Sequence, residues 1–141
     1  MSNAMQEFSR YAHEYNTYNV IQAEVAASLV AALSSDCFTT VMDMGCGSGE
    51  VYKNLEKQHV SFEHFIALDA SQEMISIQPS DKRIEKICAD FNNAETFEKF
   101  TLTGNSIFLS SSALQWSRDL DFTLSQIAKK TRDAHFAIFT S

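Results

Sequence analysis

The stretch that most constrains this chain is Thr39 to Glu50, TTVMDMGCGSGE. Val41-Met42-Asp43-Met44 is a short apolar run of the kind that forms a buried strand. It breaks into Gly45-Cys46-Gly47-Ser48-Gly49, and the helix-forming run EVYKNLEKQ follows. Strand, glycine turn and helix in that order aim backbone N–H groups and a helix N-terminus at a ligand beyond the carboxyl end of a parallel strand. Glycine suits the turn because a Cβ would block tight turning and keep a ligand away from the main chain.

The glycine spacing narrows the ligand. A dinucleotide fingerprint is GxGxxG, whereas here the third glycine comes one residue early and Glu50 stands where the last one would be. No Gly-Lys-Ser/Thr follows, so the turn is not a phosphate-cradling P-loop. By itself such a turn is also what a tight strand-to-helix connection needs. The next element adds weight: Phe65-Ile66-Ala67-Leu68-Asp69 is a second apolar run that ends in an acid, about 20 residues past the turn. That is the offset at which a carboxylate accepts bonds from ribose hydroxyls. Asp69 also reads as an N-cap for a helix opening at Ser71, a role that Ser71 itself can fill.

VMDMGCGSGE followed by ALDAS resembles the class I S-adenosylmethionine-dependent methyltransferases, whose first motif has this GxGxG form. Two flanking stretches resemble one subgroup, the malonyl-[acyl-carrier protein] O-methyltransferases of biotin synthesis. They are FSRYAHEYNTYNVIQ near the start and SSSALQWSRDLDFTL after the fourth apolar run.

Composition fits one soluble domain. The chain has 141 residues, 45% of them hydrophobic, and a single proline. That is enough for a modest core and too apolar for a disordered chain. A formal charge of −7 disfavours nucleic acid or an anionic membrane as partner. Cys37, Cys46 and Cys88 form no CxxC pair and cluster with none of the histidines, so the expectation is a reducing, cytoplasmic setting and no metal site. No apolar run is long enough to span a bilayer, and no signal peptide is evident. Residues 1–4 read as an expression-tag remnant before a native start at Met5. The expected organisation is one domain over 5–141, with an N-terminal helical segment over 5–35 and the core over 36–141.

Along the chain, the apolar positions Val20, Ile21, Val25, Leu29, Ala32 and Leu33 predict one face of an amphipathic helix. Ser71 to Ile75 predicts a short helix stopped near Pro79, and Ile84 to Asp90 alternates as a strand nearer the sheet edge. Ser106 to Ser111 predicts a fourth strand and Phe136 to Thr140 a fifth. Between them lies a helix over Asp119 to Arg132, with Leu120, Leu124, Ile127 and Ala128 inward. Strands alternating with helices predict an α/β fold around a parallel sheet, with the first strand central under right-handed crossovers. The resemblance implies a Rossmann-like sheet of order 3-2-1-4-5, truncated before the last two strands of its class and carrying an N-terminal helical lid. An apolar final strand with an open edge is a liability. The expectation is therefore either a longer protein or a homodimer across that strand.

The resemblance also implies roles. Gly45, Cys46, Gly47 and Gly49 would face the methionine portion of S-adenosyl-L-methionine, with Asp43 near its ammonium. Asp69 would accept both ribose hydroxyls, and Ala70 and Met74 would pack on adenine. Asp90 would accept from the adenine amino group and the Phe91 backbone would donate to the ring. Ser110 and the following Ser111 to Trp116 run, with Leu114, Gln115 and Trp116 in it, would border the sulfonium and the substrate entrance. Tyr11 and Tyr15 would close over the ligand as a lid. Ordinary packing explains the tyrosines, Leu114 and Trp116 equally well, and Asp90 also suits a turn. The implied reaction esterifies the free carboxylate of a malonyl thioester on an acyl-carrier protein or coenzyme A, leaving S-adenosyl-L-homocysteine. Another small-molecule acceptor, or a cofactor-binding domain without turnover, are the alternatives. A malonyl carboxylate is already ionised at neutral pH. No general base is therefore needed, and positioning supplies ~7–11 kcal/mol.

Overall fold

A computed structural model of the chain describes residues 20–111, 113–131 and 134–136. Tyr11 and Tyr15, and residues 137–140 of the strand expected over Phe136 to Thr140, lie outside the described residues.

Residues 20–31 form helix α1. The order is then β1 (Cys37–Met44), α2 (Glu50–Lys57), β2 (Ser61–Asp69), α3 (Gln72–Ser76) and β3 (Ile84–Cys88). A 3-10 turn (Ala94–Glu98), β4 (Ser106–Ser110), a second 3-10 turn (Leu114–Trp116), α4 (Leu120–Lys130) and β5 (Ala134–Phe136) complete it. The five strands form one sheet of order β3-β2-β1-β4-β5, and every pairing is parallel. β1 lies at the centre, with Val41 beside Phe65 on one flank and beside Ile107 on the other.

Both faces are covered, which is why the inner strands are continuously apolar. The period-two alternation of a strand sends Val41, Phe65, Ala67, Ile107 and Leu109 into one core. Ala26, Leu29 and Val30 of α1 and Val51 and Leu55 of α2 pack there. Met42, Met44, Ile66, Leu68 and Phe108 enter the other core, against Phe97, Phe100, Leu114 and Ile127. β3 has no fully buried residue and stands at the edge, as its alternation predicts.

Two helix faces differ from expectation. α1 buries Ala26, Leu29 and Val30, while Val20, Ile21 and Ala32 are exposed. The helix is turned so that the small Ala26 meets the sheet. α4 buries Thr123 and Ile127, whereas Leu120 is 42% and Leu124 37% exposed, and Ala128 is exposed too. Thr123 tolerates burial because its hydroxyl has two local partners. It lies 3.2 Å from the Asp119 carbonyl and 2.7 Å from the Ser117 hydroxyl. A buried hydroxyl with partners escapes the desolvation penalty of an unpaired one.

Candidate functional site

The parallel strands end together, and the chain leaves β1 in a turn stitched to β2. Gly45 N and Cys46 N both donate to the Leu68 carbonyl, at 2.7 and 2.9 Å. Gly45, Gly47 and Gly49 have φ of +76°, +51° and +86°, the left-handed region that costs other residues energy. The three glycines meet different surroundings. A Cβ on Gly45 would lie 2.4 Å from the Ala113 Cβ, one on Gly49 would press on the Gln78 amide at 3.2 Å, and one on Gly47 would meet nothing within 4 Å.

Asp69, the last residue of β2, braces this turn. Its Oδ2 accepts from Gly47 N at 2.9 Å and its Oδ1 from Ser71 N at 2.9 Å. A carboxylate has about four lone-pair sites, so each oxygen can accept once more. Ser71 is the N-cap of α3, its hydroxyl accepting from Met74 N at 3.3 Å. From the other side, buried Gln78 donates through Nε2 to the Gly47 carbonyl at 2.7 Å and the Met74 carbonyl at 2.9 Å.

A cleft of about 340 Å³ opens over these strand ends, within the size range of small-molecule sites. Its walls come from Gly45 to Ser48, from Leu68 to Ala70, from Asp90 to Asn92, and from Ser111, Ala113 and Trp116, with Gln22 and Glu50 at the margin. Trp116 is 69% exposed at the rim. Asp90 Oδ1 accepts from the Asn92 backbone at 2.9 Å and from its side chain at 3.0 Å.

Asp43 lies beneath the cleft in the centre of the sheet. It is fully buried, and neither carboxylate oxygen has a hydrogen-bond partner among the described residues. Burial, with a smaller contribution from Asp69, pushes its pKa up to about 8. That shift favours the neutral carboxyl in the absence of a nearby cation. Burial, Asp43 and Asp69 likewise push the Cys46 thiol far above its ordinary range. Cys46 is therefore a wall residue and not a thiolate nucleophile.

The structure thus gathers Gly45, Cys46, Gly47, Asp69, Ala70, Asp90, Phe91, Ser111 and Trp116 around one cleft. Others fall elsewhere. Ser110 is buried and donates to the Met44 carbonyl at 3.0 Å, tying β4 to β1. Leu114 belongs to the core. Gly49, Met74 and Gln115 do not line the cleft. Sequence reasoning passed over Ser48, Leu68, Asn92, Gln22 and Glu50 as wall residues, and Gln78 as the clamp, whereas Ala113 lies within the expected Ser111 to Trp116 run. Neighbourhood to the glycine turn marks Ser48 and Glu50; nothing in the sequence marks Gln78.

Residues 41–133 match the family model described as a methyltransferase domain. The chain belongs to that family. The methyltransferase domain is similar to the malonyl-[acyl-carrier protein] O-methyltransferase of Priestia megaterium, 24% identical over 140 residues, covering 95% of this chain and 49% of that one. The enzyme of the same name from Herminiimonas arsenicoxydans is 31% identical over 109 residues, 77% of this chain and 40% of its own. The chain spans about half the length of the curated relatives it matches. Among solved structures, the S-adenosylmethionine dependent methyltransferase of Mesorhizobium loti aligns at a TM-score of 0.57 and 23% identity, over 79% of this chain and 50% of that one. The plantazolicin methyltransferase BpumL, solved in complex with a monoazolic desmethylPZN analog and SAH, aligns at a TM-score of 0.53 and 14% identity, over 95% of this chain and 50% of its own. These likenesses share the methyltransferase-domain fold. Among the described residues no helix is long and apolar enough to cross a membrane.

Proposed function

We propose that the cleft binds S-adenosyl-L-methionine and that the protein methylates the free carboxylate of a malonyl group carried on an acyl-carrier protein, in biotin synthesis. The observation that carries this reading is Asp69, at the carboxyl end of β2, lining the cleft while bracing Gly47 N at 2.9 Å. Such a carboxylate suits the paired hydroxyls of a ribose, and the bare main chain at Gly47 suits a ligand pressed against the turn. The buried, unpartnered Asp43 suits a cationic group above it, since a positive charge favours ionisation and offsets the burial penalty. Asp90 and Phe91 line the same cleft and suit a base. The relatives named for malonyl-[acyl-carrier protein] methylation support the acceptor.

Bound S-adenosylmethionine supplies a methyl group already activated on sulfur. The chain's own contribution is to bind, orient and exclude water. An acceptor carboxylate ionised at neutral pH needs no proton removed, consistent with Cys46 held as a neutral thiol. The work left to the protein is alignment, worth ~7–11 kcal/mol.

Calorimetry with S-adenosylhomocysteine tests the cofactor. Binding is expected in the wild-type chain and its loss in Asp69→Ala, with folding checked by circular dichroism. An unchanged affinity in a folded Asp69→Ala would remove the ribose assignment. Transfer of labelled methyl to malonyl-acyl-carrier protein tests the acceptor, and labelling of malonyl-coenzyme A or of neither decides between that acceptor and the alternatives.

A further inference from the structure

We infer that Asn92 is a positioning residue that couples the Asp90 turn, at one end of the cleft, to the Trp116 turn at its mouth, so that a ligand held at Asp90 alters how Trp116 sits. The inference rests on the proposed cofactor reading and adds a connection between the two ends of that site.

The geometry is that of a strut. Asn92 follows β3 and is half-buried against the cleft. Its Nδ2 donates to Asp90 Oδ1 at 3.0 Å and to the Trp116 carbonyl at 3.3 Å. Its Oδ1 accepts from Arg118 N at 2.8 Å. The Arg118 N–H requires an acceptor, which fixes the orientation of the carboxamide, and both amide hydrogens are then used. One planar group therefore bridges two segments more than twenty residues apart in sequence. It holds the second segment at two points, one on each side of Ser117.

That second segment is a short connection between separately anchored ends. Trp116 N and Ser117 N close the 3-10 turn onto the Ala113 and Leu114 carbonyls at 3.0 Å each. Asp119 caps α4 through Phe122 N at 3.1 Å. Between those anchors, the Trp116 carbonyl and the Arg118 N–H are held by Asn92. At the other end, Asp90 Oδ1 carries both bonds from Asn92, and Oδ2 has no partner among the described residues. A ligand donor that engages the Asp90 carboxylate reorients it. Asn92 is bonded to the same carboxylate, and its rigid amide passes the change to the backbone on either side of Ser117.

Trp116 is the single tryptophan of the chain beside four tyrosines, so fluorescence excited selectively at tryptophan reports on this turn. In the ligand-free wild type, Trp116 is expected to show higher emission anisotropy than in Asn92→Ala. Saturating S-adenosylhomocysteine is expected to shift Trp116 emission in the wild type, and the shift is expected to be lost in Asn92→Ala. Asn92→Asp keeps an acceptor for Arg118 N but loses both amide donors, and its charge faces Asp90. Losing the Trp116 tie and keeping the Arg118 tie, it is expected to retain part of the ligand-free anisotropy while losing the ligand-induced shift, and it replaces Asn92→Ala if circular dichroism shows that variant unfolded. Merely structural weakening would lower the melting temperature without separating these two readouts. Variants that bind the ligand by calorimetry and retain both the wild-type anisotropy and the wild-type shift would overturn the strut. Absence of calorimetric binding in the wild type would instead overturn the cofactor reading and the ligand-driven half of this inference. The ligand-free anisotropy would still decide whether Asn92 holds the Trp116 turn.

Discussion

The two walls of the cleft are built by different means. On the β1–β2 side, the glycine turn is held by main-chain bonds to Leu68, by Asp69 and by the Gln78 clamp, over a closely packed core. On the β4–α4 side, an exposed tryptophan sits on a turn bridged across the cleft by one asparagine. The first wall suits a ligand whose shape never varies, and the second suits one that must enter and leave. The contrast lies in what ties each turn down: main chain, a carboxylate and a buried amide on one side, and chiefly one half-buried side chain on the other.

The largest test of that contrast lies within the first wall. Gly45→Ala forces a Cβ to 2.4 Å from Ala113 at a φ of +76°. Strain and overpacking together are expected to cost about 2–5 kcal/mol, read as a lower urea midpoint. Gly47→Ala meets no atom within 4 Å, so it is expected to cost only about 1–2 kcal/mol. Because Gly47 lines the cleft, the same methyl is expected to weaken S-adenosylhomocysteine binding in a folded protein. Equal destabilisation by the two substitutions would erase the distinction between a packed glycine and a ligand-facing one.

Taken per unit of pH, a smaller effect concerns the buried Asp43 carboxyl. The folded-state pKa of Asp43 is raised from 3.8 to about 8, so between those values the folded state binds more protons than the unfolded one. The sign follows: the ligand-free protein loses stability as pH rises through that window, by up to about 1.4 kcal/mol per pH unit. Thermal melts from pH 5 to 8 are expected to slope downward in the wild type and flatten in Asp43→Asn. A slope unchanged by the substitution would place the titration elsewhere.

The smallest effect belongs to the open wall. Trp116→Ala removes a side chain that is 69% exposed, and its stability is expected within about 0.5 kcal/mol of wild type. The change is expected in the acceptor KM, with S-adenosylhomocysteine affinity retained. A large drop in melting temperature would show Trp116 to be a packing residue instead.

Much of the frame was legible in the sequence because the sheet demands it. Strands buried on both faces must be apolar throughout, which exposed β1, β2 and β4 as runs, and β3 betrayed its edge position by alternating. The glycine spacing and the acid closing β2 located the cleft for the same kind of reason. Helix faces were harder. In α1 nearly every turn offers an apolar residue, and the choice fell to Ala26, whose small side chain lets the helix approach. Thr123, Gln78 and Asn92 were illegible because their places depend on carbonyls, hydroxyls and amides brought near only by the folded chain. Ser110 entered the expected site through the family resemblance, yet its hydroxyl serves the Met44 carbonyl.

β1 is paired with β2 from Cys37 to Met44 and with β4 from Thr40 to Asp43. Amides in the doubly flanked stretch are therefore released to solvent only when the sheet itself comes apart, and their exchange with deuterium should be the slowest in the molecule. Ligand arrival then has no slack to take up in the cleft floor, and the protection it adds should be concentrated in the turns above it.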